Sequence, residues 1–214
     1  MRDSVRRDLG VFRSLTTSRV RRAEEASRSL TRLTPCVTPS VPAFQSSADQ
    51  AEMTGQELAA VATAAPTPYV HEVVTACQNS GRSVSVVSNN SARAVRSYLA
   101  RHGLDERISL VVARTSHDPA LLKPSPYLIT QAVGALNAEP GECTLVGDSV
   151  THVQGARLAS VQSIGYANKP GKRERLSEAG AGVIINSLAD LALRFRARVA
   201  DPALPIRSCY NFLY

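Results

Sequence analysis

From residue 83 onward, short β-branched apolar runs alternate with stretches whose apolar positions recur every three to four residues. The runs "SVSVVS" (83–88), "SLVVAR" (109–114), "CTLVG" (143–147), "VQSIGYA" (161–167) and "AGVIIN" (181–186) predict strands. Between and after them "SARAVRSYLARHG", "SPYLITQAVGALN", "SVTHVQGARLAS", "KRERLSEAG" and "SLADLALRFRARV" predict helices, the first closed by Gly103. Upstream, "AEMTGQELAAVATAA" and "TPYVHEVVTACQNSG" carry one apolar face each, and the second opens on a Thr-Pro capping signal and ends at Gly81. This β-α-β rhythm predicts an α/β fold, Rossmann-like, with a parallel sheet and helices on both faces. Ligands of such sheets bind beyond the carboxyl ends of the strands, so functional residues are sought there.

Residues 1–50 do not share the rhythm. A helix is predicted near Ser18 to Leu33, then a Pro- and Ser-rich linker, "TPCVTPSVPAFQSSADQ". The expected organisation is a basic, irregular N-terminal segment (1–50), an α/β core (51–200, with 51–80 as a cap remnant) and a C-terminal tail (201–214). Nine of the arginines fall within residues 1–35 against four acids, which accounts for +5 of the formal charge of +7. No series of aromatic residues alternates with those arginines, so a solvated tail is expected rather than a nucleic-acid-binding arm. No apolar run is long enough for a membrane span. Cys36, Cys77, Cys143 and Cys209 form no CxxC pair and have no histidine at metal-ligand spacing. They read as reduced thiols, and the expected location is cytoplasmic.

Three strand-end positions carry candidate chemistry. Ser88, followed by Asn89 and Asn90, offers a hydroxyl and free N–H groups to an anion; the alternative is helix capping. Lys123 in "LLKPSPYLI" is one of only three lysines and precedes a helix start, as would suit a point charge held against an anion; the alternative is an ordinary surface lysine. Asp148 in "CTLVGDSVTH" follows a glycine at a strand end and could hold Mg²⁺; the alternative is an N-cap.

The ordered set "VVSNNS", "KPSP" and "LVGDSVTH" resembles the haloacid dehalogenase-like hydrolase superfamily, most of whose members are phosphatases, over about residues 51–195. The resemblance implies a Mg²⁺-dependent phosphatase of a small phosphorylated metabolite. It gives Ser88 and Asn89 a phosphate-binding role, Lys123 a catalytic and phosphate-binding role, and Asp148 a catalytic and metal-binding role.

Two features depart from that family. Its nucleophile is the first aspartate of an Asp-x-Asp at the end of a central first strand, and no Asp-x-Asp occurs ahead of Ser88. Asp8 in "RRDLGVF" is the nearest approximation and is not taken as the nucleophile. Where a further carboxylate would follow four residues after Asp148, this chain has His152, which weakens the expectation of Mg²⁺. The alternative is therefore a catalytically inactive relative that binds a phosphorylated ligand or a protein. The missing strand would lie between 83–88 and 143–147, leaving that slot to residues near Leu9 to Phe12, to direct pairing of the two strands, or to a partner chain.

Overall fold

All five predicted strands form, and every one is parallel to its neighbour. The computed structural model describes residues 47–116 and 118–198. Strand β1 (Ser85–Ser91) pairs with β2 (Leu110–Arg114) in a register running from Ser85 opposite Leu110 to Ser88 opposite Ala113. It then slips, so that Ser91 faces Arg114. Strands β3 (Thr144–Gly147), β4 (Gln162–Tyr166) and β5 (Val183–Ile185) form a second sheet in the order β3-β4-β5.

The helices occupy the connections. Helices α1 (Ser47–Thr63) and α2 (Val70–Asn79) precede β1, and α3 (Ala92–Arg101) joins β1 to β2. Helix α4 (Tyr127–Ala135) leads to β3, α5 (Val150–Leu158) to β4 and α6 (Lys172–Glu178) to β5, after which α7 (Leu188–Arg198) closes the described chain. In α3 the buried Ala94, Val95, Tyr98 and Leu99 recur at helical spacing, whereas Arg93, Arg96 and Arg101 are exposed. Ser91 caps it by accepting the Ala94 N–H at 3.3 Å. Strand β1 thus runs three residues past the predicted end at Ser88, and the cap belongs to Ser91.

Two other boundaries move. Helix α1 begins at Ser47, across the limit expected at residue 50. Helix α2 begins at Val70 after Tyr69 in the left-handed region (φ 65°), because Thr67, Pro68 and Tyr69 make a turn closed by the Val70 N–H on the Thr67 carbonyl at 3.1 Å. The helix expected near Ser18 to Leu33, the basic arm, Cys36, Cys209 and the 201–214 tail lie outside the described residues.

Strands β1 and β3 do not pair, which removes direct pairing from the three fillings of the slot. They nevertheless share both faces. Val86 of β1 and Val146 of β3 enter one buried cluster with Val73, Val74, Leu188 and Leu191 of α2 and α7. Val87 and Leu145, the adjacent residues, enter another with Leu128, Ile129 and Ala132 of α4. Side chains alternate across a strand, so successive residues feeding the same two layers mean that the two sheets are halves of one layer, interrupted between β1 and β3. Both strands are buried on each face, as continuous apolar runs in parallel sheets should be. Cys77 and Cys143 are buried thiols of these two clusters. Among the described residues no helix is long and apolar enough to cross a membrane.

Candidate phosphate site

The carboxyl end of β1 is organised around Asn89. The register slip after Ser88 turns the backbone out of the ladder, and the Ser88 Oγ accepts the Asn90 N–H at 3.2 Å. Asn89 Oδ1 accepts the Lys123 N–H at 3.0 Å and its Nδ2 donates to the Lys123 carbonyl at 3.3 Å. One side-chain amide thereby satisfies both main-chain groups of Lys123. Lys123 is 6% exposed, and its Nζ donates to the Val87 carbonyl at 2.8 Å, directly before Ser88. It is not a surface lysine. Burial draws its ammonium down to about 7, against a smaller opposing pull from Asp148.

The carboxyl end of β3 brings the second half. Ser149, not Asp148, caps α5, accepting the His152 N–H at 3.3 Å, so the Asp148 carboxylate is left for other contacts. Its Oδ2 accepts from Lys172 Nζ at 2.5 Å, and its Oδ1 lies 3.7 Å from His152 Nδ1. Burial pushes the His152 imidazole down to about 3, helped by the charges of Lys123 and Lys172, and its Nδ1 has no hydrogen-bond partner among the described residues. The ring is neutral across the physiological range. Burial and Asp148 also raise the Tyr166 hydroxyl at the end of β4. The charge of Asp148 acts on Lys123 and that of Lys123 acts on His152, which ties the β1 side of the site to the β3 side.

These shifts have a pH signature. The unfolded His152 takes up a proton near 6.5 and the folded one only near 3, so stability should fall as pH drops through that window. Folded Lys123 releases its proton near 7 whereas the unfolded lysine holds it to 10.5, so the same linkage adds stability as pH rises between those values. Urea midpoints measured across pH should show both limbs. A His152→Gln variant that leaves the acid limb unchanged would refute the first.

A supporting pair lies behind Asn89. Arg114 at the end of β2 donates from Nε to the Asn89 carbonyl at 3.0 Å and from a terminal nitrogen to Glu57 Oε1 of α1 at 2.6 Å. Glu57 Oε2 accepts the Ser91 N–H at 2.8 Å. The sequence reading missed Glu57, Arg114 and Lys172. For the first two nothing local marks them, since charges are ordinary on a helix face and at a strand end. Lys172 carried a signal in the scarcity of lysine and in its place beside Gly171 at a helix start.

The described residues do not by themselves suit the Mg²⁺ that the resemblance implies. Asp148 is a single carboxylate, engaged by an ammonium and flanked by a neutral imidazole, and no group of three metal-capable side chains occurs among the described residues. Mg²⁺ asks for an octahedral shell of oxygens. The arrangement instead holds a buried lysine, a second lysine paired with Asp148, the Ser88 hydroxyl and the first turn of α5, groups whose chemistry favours an anion.

Known proteins are similar to this chain in sequence and in fold. The family model for haloacid dehalogenase-like hydrolases matches residues 43–166, more than half of the chain. A plasmid-borne phosphoglycolate phosphatase of Cupriavidus necator is 32% identical over 141 residues, covering 64% of this chain and 58% of its own length. The pyrophosphatase PpaX of Halalkalibacterium halodurans is 31% identical over 104 residues, 47% of each chain. A bifunctional riboflavin kinase/FMN phosphatase of Arabidopsis thaliana is 30% identical over 53% of this chain and 29% of its own. The chain therefore spans between 29% and 58% of the length of these relatives. Among solved structures, CbbY of Rhodobacter sphaeroides in complex with phosphate superposes with a TM-score of 0.56 at 22% identity, over 64% of this chain and 62% of that one. A haloacid dehalogenase-like protein of Agrobacterium tumefaciens does so at 0.54 and 24%, over 61% and 60%. With the motif order, the parallel α/β layers and the family match in agreement, this chain belongs to the haloacid dehalogenase-like hydrolase family.

Proposed function

We propose that the pocket at the ends of β1 and β3 holds the phosphate group of a small phosphorylated molecule. Ser88 and Asn89 would present hydroxyl and amide donors, and Lys123 a partly desolvated positive charge. In this reading the chain keeps the phosphate-binding half of a phosphatase site and binds without turning over, because residues 1–214 contain no Asp-x-Asp to form a phosphoryl-enzyme. The observation that carries the proposal is Lys123, buried, bonded to the Val87 carbonyl and held at both main-chain groups by Asn89. A lysine sequestered in this way costs desolvation energy, which an arriving anion would offset. A cytoplasmic setting belongs to the same proposal, supported by the buried thiols of Cys77 and Cys143.

Phosphatase activity is the second reading, favoured by the relatives named above. An aryl phosphate assay with Mg²⁺ separates the two: turnover that disappears in Asp148→Asn would establish the catalyst and displace the binder.

Lys123→Met keeps most of the side-chain volume and removes the charge. It should weaken binding of inorganic phosphate about tenfold or more, as loss of a charge-assisted contact does. Affinity in the unaltered chain should also decline as pH rises past about 7, where the ammonium discharges. Calorimetric titration would measure both, and equal affinity in the two proteins would sink the assignment.

A further inference from the structure

Lys172 is in an unusual place for a lysine. It is the first residue of α6, next to Arg173, where the helix dipole disfavours positive charge. Gly171, at φ 74°, forms the turn that delivers it there. Its compensation comes from 24 residues earlier in the chain: Nζ sits 2.5 Å from Asp148 Oδ2, and both side chains are 24% exposed. On the other side of the same carboxylate stands His152, 7% exposed, with Nδ1 3.7 Å from Oδ1 and without a hydrogen bond among the described residues. Among the described residues Asp148 is thus met by one full positive charge and by no second acid.

We propose that Lys172 is the resident cation of this pocket: its ammonium balances Asp148 in place of a divalent metal, so that the site takes a phosphate-type anion without one. An ammonium has three donors, of which Asp148 uses one. The other two would serve an anion in the proposed site, since among the described residues Asp148 is the hydrogen-bond partner seen for Nζ. Mg²⁺, in contrast, would have to displace this ion pair and complete its oxygen shell from a single carboxylate. The anion-binding clause rests on the function proposed above; the exclusion of Mg²⁺ by Lys172 does not.

Calorimetric titrations of the full chain with Mg²⁺ alone, and with inorganic phosphate in EDTA or in Mg²⁺, test both parts. The unaltered chain should show no saturable Mg²⁺ binding through the millimolar range and equal phosphate affinity in the two buffers. Lys172→Met, which leaves one carboxylate unpaired, should bind Mg²⁺ measurably but weakly and lose about tenfold or more in phosphate affinity in EDTA, whereas Lys172→Arg, which keeps the charge, should do neither. Saturable Mg²⁺ binding by the unaltered chain, phosphate binding that EDTA abolishes, or a Lys172→Met protein indistinguishable from the unaltered one would each overturn the proposal. If phosphate binds under no condition, the function proposed above fails, and the Mg²⁺ titrations still decide the role of Lys172. Should circular dichroism show Lys172→Met unfolded, the titrations of the unaltered chain decide alone.

Discussion

Replacing Glu57 with alanine should cost about 3 to 5 kcal/mol, the usual penalty for stripping one partner from a buried ion pair. Arg114 is the reason. Its side chain is 3% exposed, and Glu57, itself 13% exposed, is the carboxylate that compensates it at 2.6 Å. Without Glu57 the guanidinium remains buried and charged, and the Ser91 N–H at the start of α3 also loses its acceptor. For a chain of this size each kcal/mol lowers the melting temperature by about 2–4 °C, so a drop on the order of 10 °C is expected. The effect should extend to function, because Arg114 also bonds the Asn89 carbonyl and Asn89 positions Lys123. Phosphate affinity should fall although Glu57 itself is not assigned a ligand contact. Adding Arg114→Met to Glu57→Ala should recover much of the stability, since the stranded charge is then gone. A Glu57→Ala protein that melts with the unaltered chain would show that the pair is not the support described.

The second large effect concerns Gly147, the last residue of β3. A Cβ added there would fall 2.5 Å from the His152 Cβ and 2.9 Å from its Cγ and Nδ1. No rotamer relieves the first of these, because the obstructing atom is attached directly to the α5 backbone. That backbone is in turn fixed by the Ser149 cap. Gly147→Ala should therefore force β3 and α5 apart, at about 1–3 kcal/mol or somewhat more. Asp148 would be carried with them, so loss of anion binding should exceed what the stability change alone explains. The same chemical change at Gly134 supplies the contrast. It lies in α4 with nothing within 4 Å of an added Cβ, and alanine there should stabilise by about 0.5–1 kcal/mol. Denaturant midpoints of the two variants should move in opposite directions; a shared direction would remove the close-approach argument.

Together these expectations describe a site held by contacts that are distant in sequence. Glu57 stands 57 residues before Arg114, Asn89 34 before Lys123, and Asp148 24 before Lys172. The family's motifs are short, and each sits on one loop. Their relative placement depends on these longer links, two of which run through side chains that no motif marks.

What the linear pattern determined was the fold class and the loci of interest. Five β-branched runs separated by amphipathic stretches have one compact solution, a parallel sheet covered by helices, so the strands were legible from period and composition alone. The ends of those strands, with Ser88, Asn89, Lys123 and Asp148, followed from the same logic. Helix boundaries followed less well: Ser91 and Ser149 cap where Ser88 and Asp148 were also eligible, because a cap depends on where the backbone leaves the ladder, and Asn, Ser and Asp cap about equally well. Only the tertiary structure decided that β1 and β3 stay unpaired while feeding the same two core layers, since hydrogen-bond partners across a sheet are chosen by packing far along the chain. It alone decided that Lys123 is buried rather than solvated, that Glu57 answers Arg114, and that Lys172 closes on Asp148. Charge pairing acts over a few ångströms in space and is indifferent to separation in sequence, and for that reason no local reading of the residues could have supplied it.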